Sequence, residues 1–406
     1  MLDVSRRLVA AISSSFVLLA VAAPLAGTPA LAAEKRVIVT EKADYPGFDL
    51  RTVKDTTLGD CQNACLADTA CKAFTFNTKA NWCFLKSDFA ALATTADATA
   101  GRIVDAPELT PSIEQQRLAE LDFLPSDYID DARSLVGSVK ERFATSGMSY
   151  SALRAAGAAA MRAANYTDAA LAYGRALALA SEDGVAWLDF SRASLARSPD
   201  NYSERRRAYA DATGAALNGY LRVEATPARA VALALAGAGL AKQSSWKPAI
   251  RTYRASLALA EVASVRAEYE KLIAEHGFRI TEHEVESDAA DPQICLRFSD
   301  TLPVARPDLA DFVTVEDGEG LAIEPQESQI CINGVKHGKR YVIRVRAGLP
   351  AADGETLAHP VEISVYVRDR QPWVGFAGNA YVLPAGEGAT IPLSSVNAEA
   401  AEATIY

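Results

Sequence analysis

Six cysteines are the residues of this sequence best equipped for specific chemistry, because a thiol can bind a metal ion, attack a substrate or form a disulfide. They form an early group of four and a later pair: Cys61, Cys65, Cys71 and Cys83, then Cys295 and Cys331. An even number of cysteines in an exported chain favours disulfides over metal ligation, because an oxidising compartment keeps such bridges intact. No leftover thiol requires a role as a nucleophile.

The other residues that could catalyse a reaction or bind a metal are too scattered to form a site. Of the four histidines, only His276 and His283 lie close together, and a zinc ion would need a third ligand on a compatible face. The motifs of an activated serine, a phosphate-binding loop and a dinucleotide-binding loop do not occur. We therefore expect no catalytic residue, no metal and no cofactor, and we predict that the protein is not an enzyme.

The early cysteines lie in residues 33–105, which we expect to form a small α+β domain stapled by disulfides. The stretch Thr56–Asp68 predicts a helix with Cys61 and Cys65 one turn apart on one face. Alternating runs at 72–77 and 82–86 predict two paired strands.

Four cysteines allow three patterns of pairing. We favour Cys61 with Cys83 and Cys65 with Cys71, since the helix can then reach both a neighbouring loop and the far strand.

This segment resembles the PAN/apple domain, in which a helix is tied to a small antiparallel sheet. The resemblance is carried by YPGFDL (Tyr45–Leu50), the CxxxC of Cys61 and Cys65, CKAFTFN (Cys71–Asn77) and CFLK (Cys83–Lys86). It implies a domain that binds a protein or a carbohydrate. A domain that merely folds is an equally good interpretation.

Residues 106–277 predict an all-α stack of helical repeats. The composition is rich in alanine from about Pro111 to Glu275, and Ser245–Ala260 repeats the pattern of Asn165–Ala180 eighty positions later. The repeat is typical of tetratricopeptide-like hairpins, although eighty is not a multiple of their unit of about 34 residues. Tyrosines at helical spacing, such as Tyr173 and Tyr253, favour packing between helices over contacts with a peptide.

Residues 278–369 predict an all-β sandwich, because the hydrophobic periodicity changes to two. The predicted strands are 278–285, 294–298, 329–333, 341–346 and 361–367. Cys295 and Cys331 lie in two apolar strands and predict one bridge, either across paired strands or between facing sheets.

Three stretches of this region resemble the macroglobulin domains of bacterial alpha-2-macroglobulins, which are periplasmic proteins that trap proteases. They are ICLRFSD (Ile294–Asp300), HGKRYVIRVRAGLP (His337–Pro350) and DRQPWVGFAGNAYVLP (Asp369–Pro384). The resemblance implies a macroglobulin/Ig-like sandwich for 278–369 and the truncated start of a second one for 370–406. The thioester tetrapeptide Cys-x-Glu-Gln of the family does not occur, and we expect the chain to be a fragment of a longer protein.

The first 32 residues predict a secretory signal peptide. Arg6 and Arg7 precede an apolar run at 8–25, and small residues mark a cleavage site between Ala32 and Ala33. Serines and a proline interrupt the run, which disfavours a permanent membrane span of about 20 apolar residues. We expect a periplasmic or secreted chain with no stable span after the signal is removed.

The charge of the chain argues against a nucleic-acid partner. The net charge is −10, whereas nucleic acids are bound by basic surfaces. The remaining hypotheses are a periplasmic endopeptidase inhibitor and a secreted adhesion protein. In the first, this chain is the N-terminal scaffold and recognition part, with proteases, other periplasmic or cell-wall proteins, or glycans as partners. In the second, the apple domain binds a protein or carbohydrate. A third hypothesis, peptide docking by the helical stack, rests on the repeat alone.

Overall fold

The computed structural model describes residues 35–104, 109–143, 147–303, 311–316, 318–376, 392–402 and 404. The predicted signal peptide, with its cleavage site at Ala32 and Ala33, lies outside the described residues, as does the 377–384 part of the last motif. Along the chain, the described residues form a small disulfide-bonded α/β unit, then a helical region, then a region of β-sheets.

The first unit is a five-stranded antiparallel sheet with one helix, α1 (Leu58–Ala67), packed on it. The strands are β1 (Arg36–Asp44), β2 (Asp49–Val53), β3 (Ala73–Asn77), β4 (Trp82–Lys86) and β5 (Ala93–Val104), in the sheet order β1-β5-β3-β4-β2. The Thr57 hydroxyl caps α1 by accepting a hydrogen bond from the Asp60 amide at 3.2 Å. The helix therefore begins at Leu58, three residues before its first cysteine.

Two disulfides hold this helix against the sheet. Cys61 is bonded to Cys83 of β4, and Cys65 is bonded to Cys71 in the segment before β3. All four cysteines are buried, together with Phe74 and other apolar side chains of the sheet. In so small a unit, disulfides add the stability that a limited apolar core cannot provide.

The helical region consists of nine helices among the described residues. They are α2 (Pro111–Ala119), α3 (Ser126–Arg142), α4 (Tyr150–Arg162), α5 (Tyr166–Leu179), α6 (Gly184–Ala196), α7 (Tyr202–Arg222), α8 (Thr226–Lys242), α9 (Trp246–Leu259) and α10 (Ala263–His276). From α4 to α10, each helix packs on the next, and α3 packs on both α5 and α7. Short connections between successive helices produce this stacked arrangement.

The two repeated segments form α5 and α9, and each is joined to the preceding helix, α4 or α8, by the same kind of turn. The connecting residues Ala164 and Ser244 have φ angles of 57° and 60°. In the first turn, the Asn165 amide donates to the Ala160 carbonyl at 2.9 Å. In the second, the Ser245 amide donates in the same way to Leu240 at 3.0 Å. A residue with a positive φ angle, followed by an amide that donates to the carbonyl five residues earlier, ends a helix sharply. The next helix can then return alongside the first.

A tyrosine seated on a glycine fixes the register of each hairpin. Tyr173 of α5 lies over Gly157 of α4, where an added Cβ would meet the ring at 2.7 Å. Tyr253 of α9 lies in the same way over Gly237 of α8, where the distance would be 3.1 Å. Both tyrosines are buried, so packing explains their spacing along the helices.

The last region contains two sheets that bury one common apolar core. One sheet has the order β6-β7-β10-β9: β6 (Ile280–Glu286), β7 (Gln293–Phe298), β9 (Ala322–Gln326) and β10 (Gln329–Asn333). The other has the order β12-β11-β8: β8 (Val313–Val315), β11 (Lys339–Val345) and β12 (Val361–Val367). Cys295 and Cys331 are directly opposite each other on β7 and β10 and are disulfide-bonded, so this bridge joins neighbouring strands of one sheet.

A separate hairpin follows, made of β13 (Trp373–Phe376) and β14 (Leu393–Val396). The side chains of Trp373, Phe376 and Leu393 are about half exposed, at 52%, 55% and 51%. Among the described residues, this sheet has no third strand.

The glycine under Tyr173 yields a test with a matched control. We expect Gly157→Ala to lower the free energy of unfolding by about 1–3 kcal/mol, because the methyl group would overlap the ring. Gly137 is also inside a helix, but an added Cβ there would meet no atom within 4 Å. Gly137→Ala should therefore raise stability by about 0.5–1 kcal/mol through helix propensity alone. Urea unfolding measures both changes, and equal effects at the two positions would contradict the proposed packing.

Candidate functional site

The first unit is joined to the helical region by a stack of aromatic rings. Phe89 lies between Tyr45 and Tyr150, with ring centroids 5.5 Å and 5.2 Å away, and it is nearly parallel to Tyr150. Its backbone carbonyl also accepts a hydrogen bond from the Tyr150 amide, at 2.8 Å, at the start of α4. Phe89 is buried in an apolar cluster that includes Ala180 at the end of α5. The two units therefore share a small core of their own.

Charged side chains surround this aromatic contact. Arg102 of β5 forms an ion pair with Glu182, and the Lys72 ammonium donates to the Ser151 hydroxyl at 2.7 Å. The Tyr150 hydroxyl donates to Asp183, which is also held by Arg154 at 3.2 Å. These contacts lie around a cleft of about 380 Å³ at the junction.

These surroundings determine the protonation state of the Tyr150 phenol. Burial, and then the charge of Asp183, raise the pKa of Tyr150 far above its usual range. The phenol therefore keeps its proton and acts as a fixed hydrogen-bond donor. A tyrosine held in this state positions the junction and does not serve as a base.

The helical region meets the β-region through a charged clamp, which we define as Lys247, Arg251 and Arg254 of α9 with Asp300, Asp353 and Glu355. The three basic residues follow the spacing i, i+4, i+7 and so share one face of the helix. The acidic residues belong to two loops of the β-region. Lys247 pairs with both aspartates, and its ammonium lies 2.8 Å from the Asp353 carboxylate.

Glu355 is the most deeply buried member of the charged clamp. Its side chain is 3% exposed, and its two oxygens lie 3.2 Å from Arg251 Nε and 3.4 Å from an Arg254 guanidinium nitrogen. A buried carboxylate is stable only when cations or hydrogen-bond donors compensate it. The loop that carries Glu355 is therefore held on α9.

A ring contact within the helical region and a histidine–glutamate contact lie beside this second junction. Trp246 at the start of α9 stacks on His276 at the end of α10, with ring centroids 3.9 Å apart. His359 of the β-region lies 3.3 Å from Glu270 of α10. His276 thus has a packing role, and His283 lies on β6, in the other region.

The part of the chain that the structure describes contains no cluster of three or more His, Cys, Asp or Glu residues that could hold a metal ion. All six cysteines are in disulfides. In that same part of the chain, we found no helix with the length and apolar character needed to cross a membrane.

The cysteines and the two tyrosines that stand out in the sequence lie in domain cores. The ring stack of Phe89 and the charged clamp were not predicted. The i, i+4, i+7 spacing of Lys247, Arg251 and Arg254 was a visible signal of a basic helix face. Its acidic partners lie 53 residues or more further along the chain, so the sequence gives no local cue for the pairing.

Comparison with known proteins identifies the first unit. Residues 36–103 match the family model of the PAN domain. A stretch of 63 residues, 16% of this chain, is 40% identical to a protein named alpha-2-macroglobulin from Xylella fastidiosa (strain 9a5c). That stretch corresponds to 4% of the length of the relative.

Solved structures give only distant similarity. An alpha-2-macroglobulin fragment from Escherichia coli is 17% identical, with a TM-score of 0.25, over 31% of this chain and 43% of that chain. Salmonella alpha-2-macroglobulin is 19% identical, with the same TM-score, over 32% of this chain and 9% of that one. The N-terminal part of the bacterial S-layer protein SbsC is 14% identical, with a TM-score of 0.20, over 62% and 60%. Such low TM-scores establish neither a shared fold nor a shared function.

The chain therefore contains a PAN domain at 36–103 and has a weak relationship to bacterial alpha-2-macroglobulins. This relationship and the three disulfides are consistent with an extracytoplasmic protein.

Proposed function

We propose that this chain is the N-terminal scaffold and recognition part of a periplasmic alpha-2-macroglobulin-like endopeptidase inhibitor, and that it is not an enzyme. The observation that carries the proposal is the 40% identity over 63 residues to the Xylella fastidiosa protein. The PAN domain and the motifs at His337–Pro350 and Asp369–Arg370 support it. Proteases would be the partners of the complete molecule.

In this proposal, each region has a mechanical role. The two sheets of the last region would form a macroglobulin-like sandwich, stiffened by the bridge between Cys295 and Cys331. The hairpins α4–α5 and α8–α9 would be degenerate tetratricopeptide-like repeats that space the PAN domain from this sandwich. The PAN domain would contact a protein or glycan of the periplasm or cell wall.

The two junctions support the role of a scaffold. The ring stack of Phe89 connects the PAN domain to α4, and the charged clamp connects α9 to the β-region. A trap must hold its modules in defined positions until a protease engages it. One buried side chain at each end of the helical region, Phe89 and Glu355, supports such positioning.

The inhibitor hypothesis predicts a particular pattern of inhibition. A trap encloses the protease without blocking its active site, so cleavage of a large protein substrate should fall while cleavage of a small chromogenic peptide continues. We propose to incubate the protein purified from its native compartment with a panel of endopeptidases and to measure both activities. Mass spectrometry of that protein should also give a mass far above the 43.2 kDa of this chain. Equal loss of both activities, no loss of either, or a stable native product of 43.2 kDa or less would each count against the proposal.

Glu355 tests the charged clamp as a source of rigidity. We expect Glu355→Gln to lower the free energy of unfolding by about 2 kcal/mol, because Arg251 and Arg254 would lose the charge that compensates them. Glu362→Gln is the matched control: its partner Arg344 is 51% exposed and Glu362 itself is 61% exposed, so the loss should stay within about 0.5 kcal/mol. Chemical unfolding measures both variants. A loss for Glu355→Gln no larger than that of the control would show that the charged clamp adds nothing to stability.

The charged clamp should also respond to pH. Burial alone would raise the pKa of Asp353, but hydrogen bonds from Lys247 and from the Glu355 amide outweigh it and leave the pKa below the ordinary 3.8. For Lys247, burial would lower the pKa, but its bonds to Asp300 and Asp353 leave it above 10.5. The stabilisation from Asp353 is therefore complete above its unfolded pKa and is lost as the pH falls through the folded value.

The corresponding measurement compares unfolding free energies between about pH 5 and pH 3, because the Asp353 carboxylate of the unfolded chain takes up its proton in this range. The unmodified chain should lose more stability over this range than Asp353→Asn, which has no carboxylate to protonate. The role assigned to Asp353 is wrong if the two curves run parallel.

A further inference from the structure

The helical region contains two grooves at equivalent positions of its internal repeat. The first is the helical wall of the cleft at the PAN junction, where α4, the end of α5 and the start of α6 meet: Tyr150, Ser151, Ala180, Glu182 and Val185 lie on this wall, and residues of the PAN domain form the opposite wall. The second lies where α8, the end of α9 and the start of α10 meet. It is lined by the residues that follow eighty positions later: Ala230, Val231, Ala260, Val262 and Val265. The two grooves are thus copies of one structural feature.

The first groove shows what such a surface does in this protein. It receives the PAN domain: Phe89 stacks on Tyr150 and packs near Ala180, while its carbonyl accepts the first amide of α4. The rim adds polar contacts, with Lys72 bound to Ser151 and Arg102 paired with Glu182. One large apolar side chain and two cations of the PAN domain therefore face the first groove.

The second groove is open and more apolar. Its volume is about 440 Å³, and none of the chain segments that the structure describes occupies it. Val231 replaces the polar Ser151, Val262 replaces Glu182, and Ala230 replaces Tyr150. Compared with the first groove, the second offers an occupant more apolar contact. It has no counterpart of Ser151 or Glu182, which bind Lys72 and Arg102 in the first groove.

Two polar groups nevertheless remain beside this apolar surface. Glu268 of α10 lines the groove, is exposed, and forms no ion pair or hydrogen bond within the described residues. The Tyr253 ring also lines the groove, and burial, followed by the charge of Glu268, raises the pKa of Tyr253 to about 12. Its hydroxyl is therefore neutral at physiological pH, so the net charge of these two groups is negative and favours a cation on the occupant.

We propose that the groove between α8, α9 and α10 is a docking site for a second protein. The occupant is an exposed segment that presents one aromatic or large aliphatic side chain to the apolar floor and a neighbouring lysine or arginine to Glu268. The equivalent use of the first groove by Phe89 of the PAN domain, together with the unpaired carboxylate, identifies this chemistry. The proposal holds whether or not the chain is part of a protease inhibitor.

The test uses the full chain and a phage-displayed library of random peptides as the probe. Selected sequences should place Phe, Trp, Leu or Ile next to Lys or Arg, and the strongest is then synthesised for titration by calorimetry. Ala234→Asp puts a charge into the partly exposed groove wall and should weaken binding by about tenfold or more. Glu268→Gln, at an exposed position where the fold does not depend on the charge, should weaken binding by about threefold and reduce its salt dependence.

Val185→Asp is the matched control, since Val185 is 53% exposed and holds in the first groove the place that Val265 holds in the second. It should leave peptide affinity unchanged, and thermal unfolding of all three variants checks that they fold. The proposal is overturned if the selected peptide binds Ala234→Asp as tightly as the unmodified chain, or if no shared motif is enriched. Sedimentation that reveals a dimer abolished by Ala234→Asp would also overturn it, because the occupant would then be a second copy of this chain.

Discussion

The close approach of small residues between helices is the constraint on which the rest of this structure depends. Glycine and alanine at the contacts of α4 with α5 and of α8 with α9 let the Tyr173 and Tyr253 rings lie directly on the neighbouring helix. Both junctions are built on these hairpins, at the start of α4 and along α9. The PAN domain and the β-region are attached to these hairpins, so the packing of the helices sets the positions of both.

The two junctions hold their partners by different physical means. At the PAN junction, apolar ring surface is removed from water and the surrounding ion pairs are secondary. At the β-region junction, three cations on one helix face meet three carboxylates, and Glu355 is buried among them. Salt screens the second kind of contact much more than the first. The chain thus has one connection built mainly on apolar rings and one built mainly on charge.

Much of the fold could be predicted from local patterns. The change from alanine-rich helix to two-residue periodicity lies close to the end of α10 at His276, and the predicted strands at 294–298 and 329–333 correspond to β7 and β10. Strand β5 was missed because its alanine- and threonine-rich sequence has large apolar residues only at its end, Ile103 and Val104, and it becomes a strand only between β1 and β3. The charged clamp and the ring stack were missed because they join residues far apart in the chain. Patterns within one element cannot show such partners.

The seating of each tyrosine on a glycine also limits how the molecule can move. A helix whose neighbour's ring rests on its backbone cannot slide along that neighbour, since any translation would drive the ring into a side chain one turn away. Shear within the stack is therefore blocked in the hairpins α4–α5 and α8–α9. A displacement applied to one helix of either hairpin is therefore carried to its neighbour without sliding between the two.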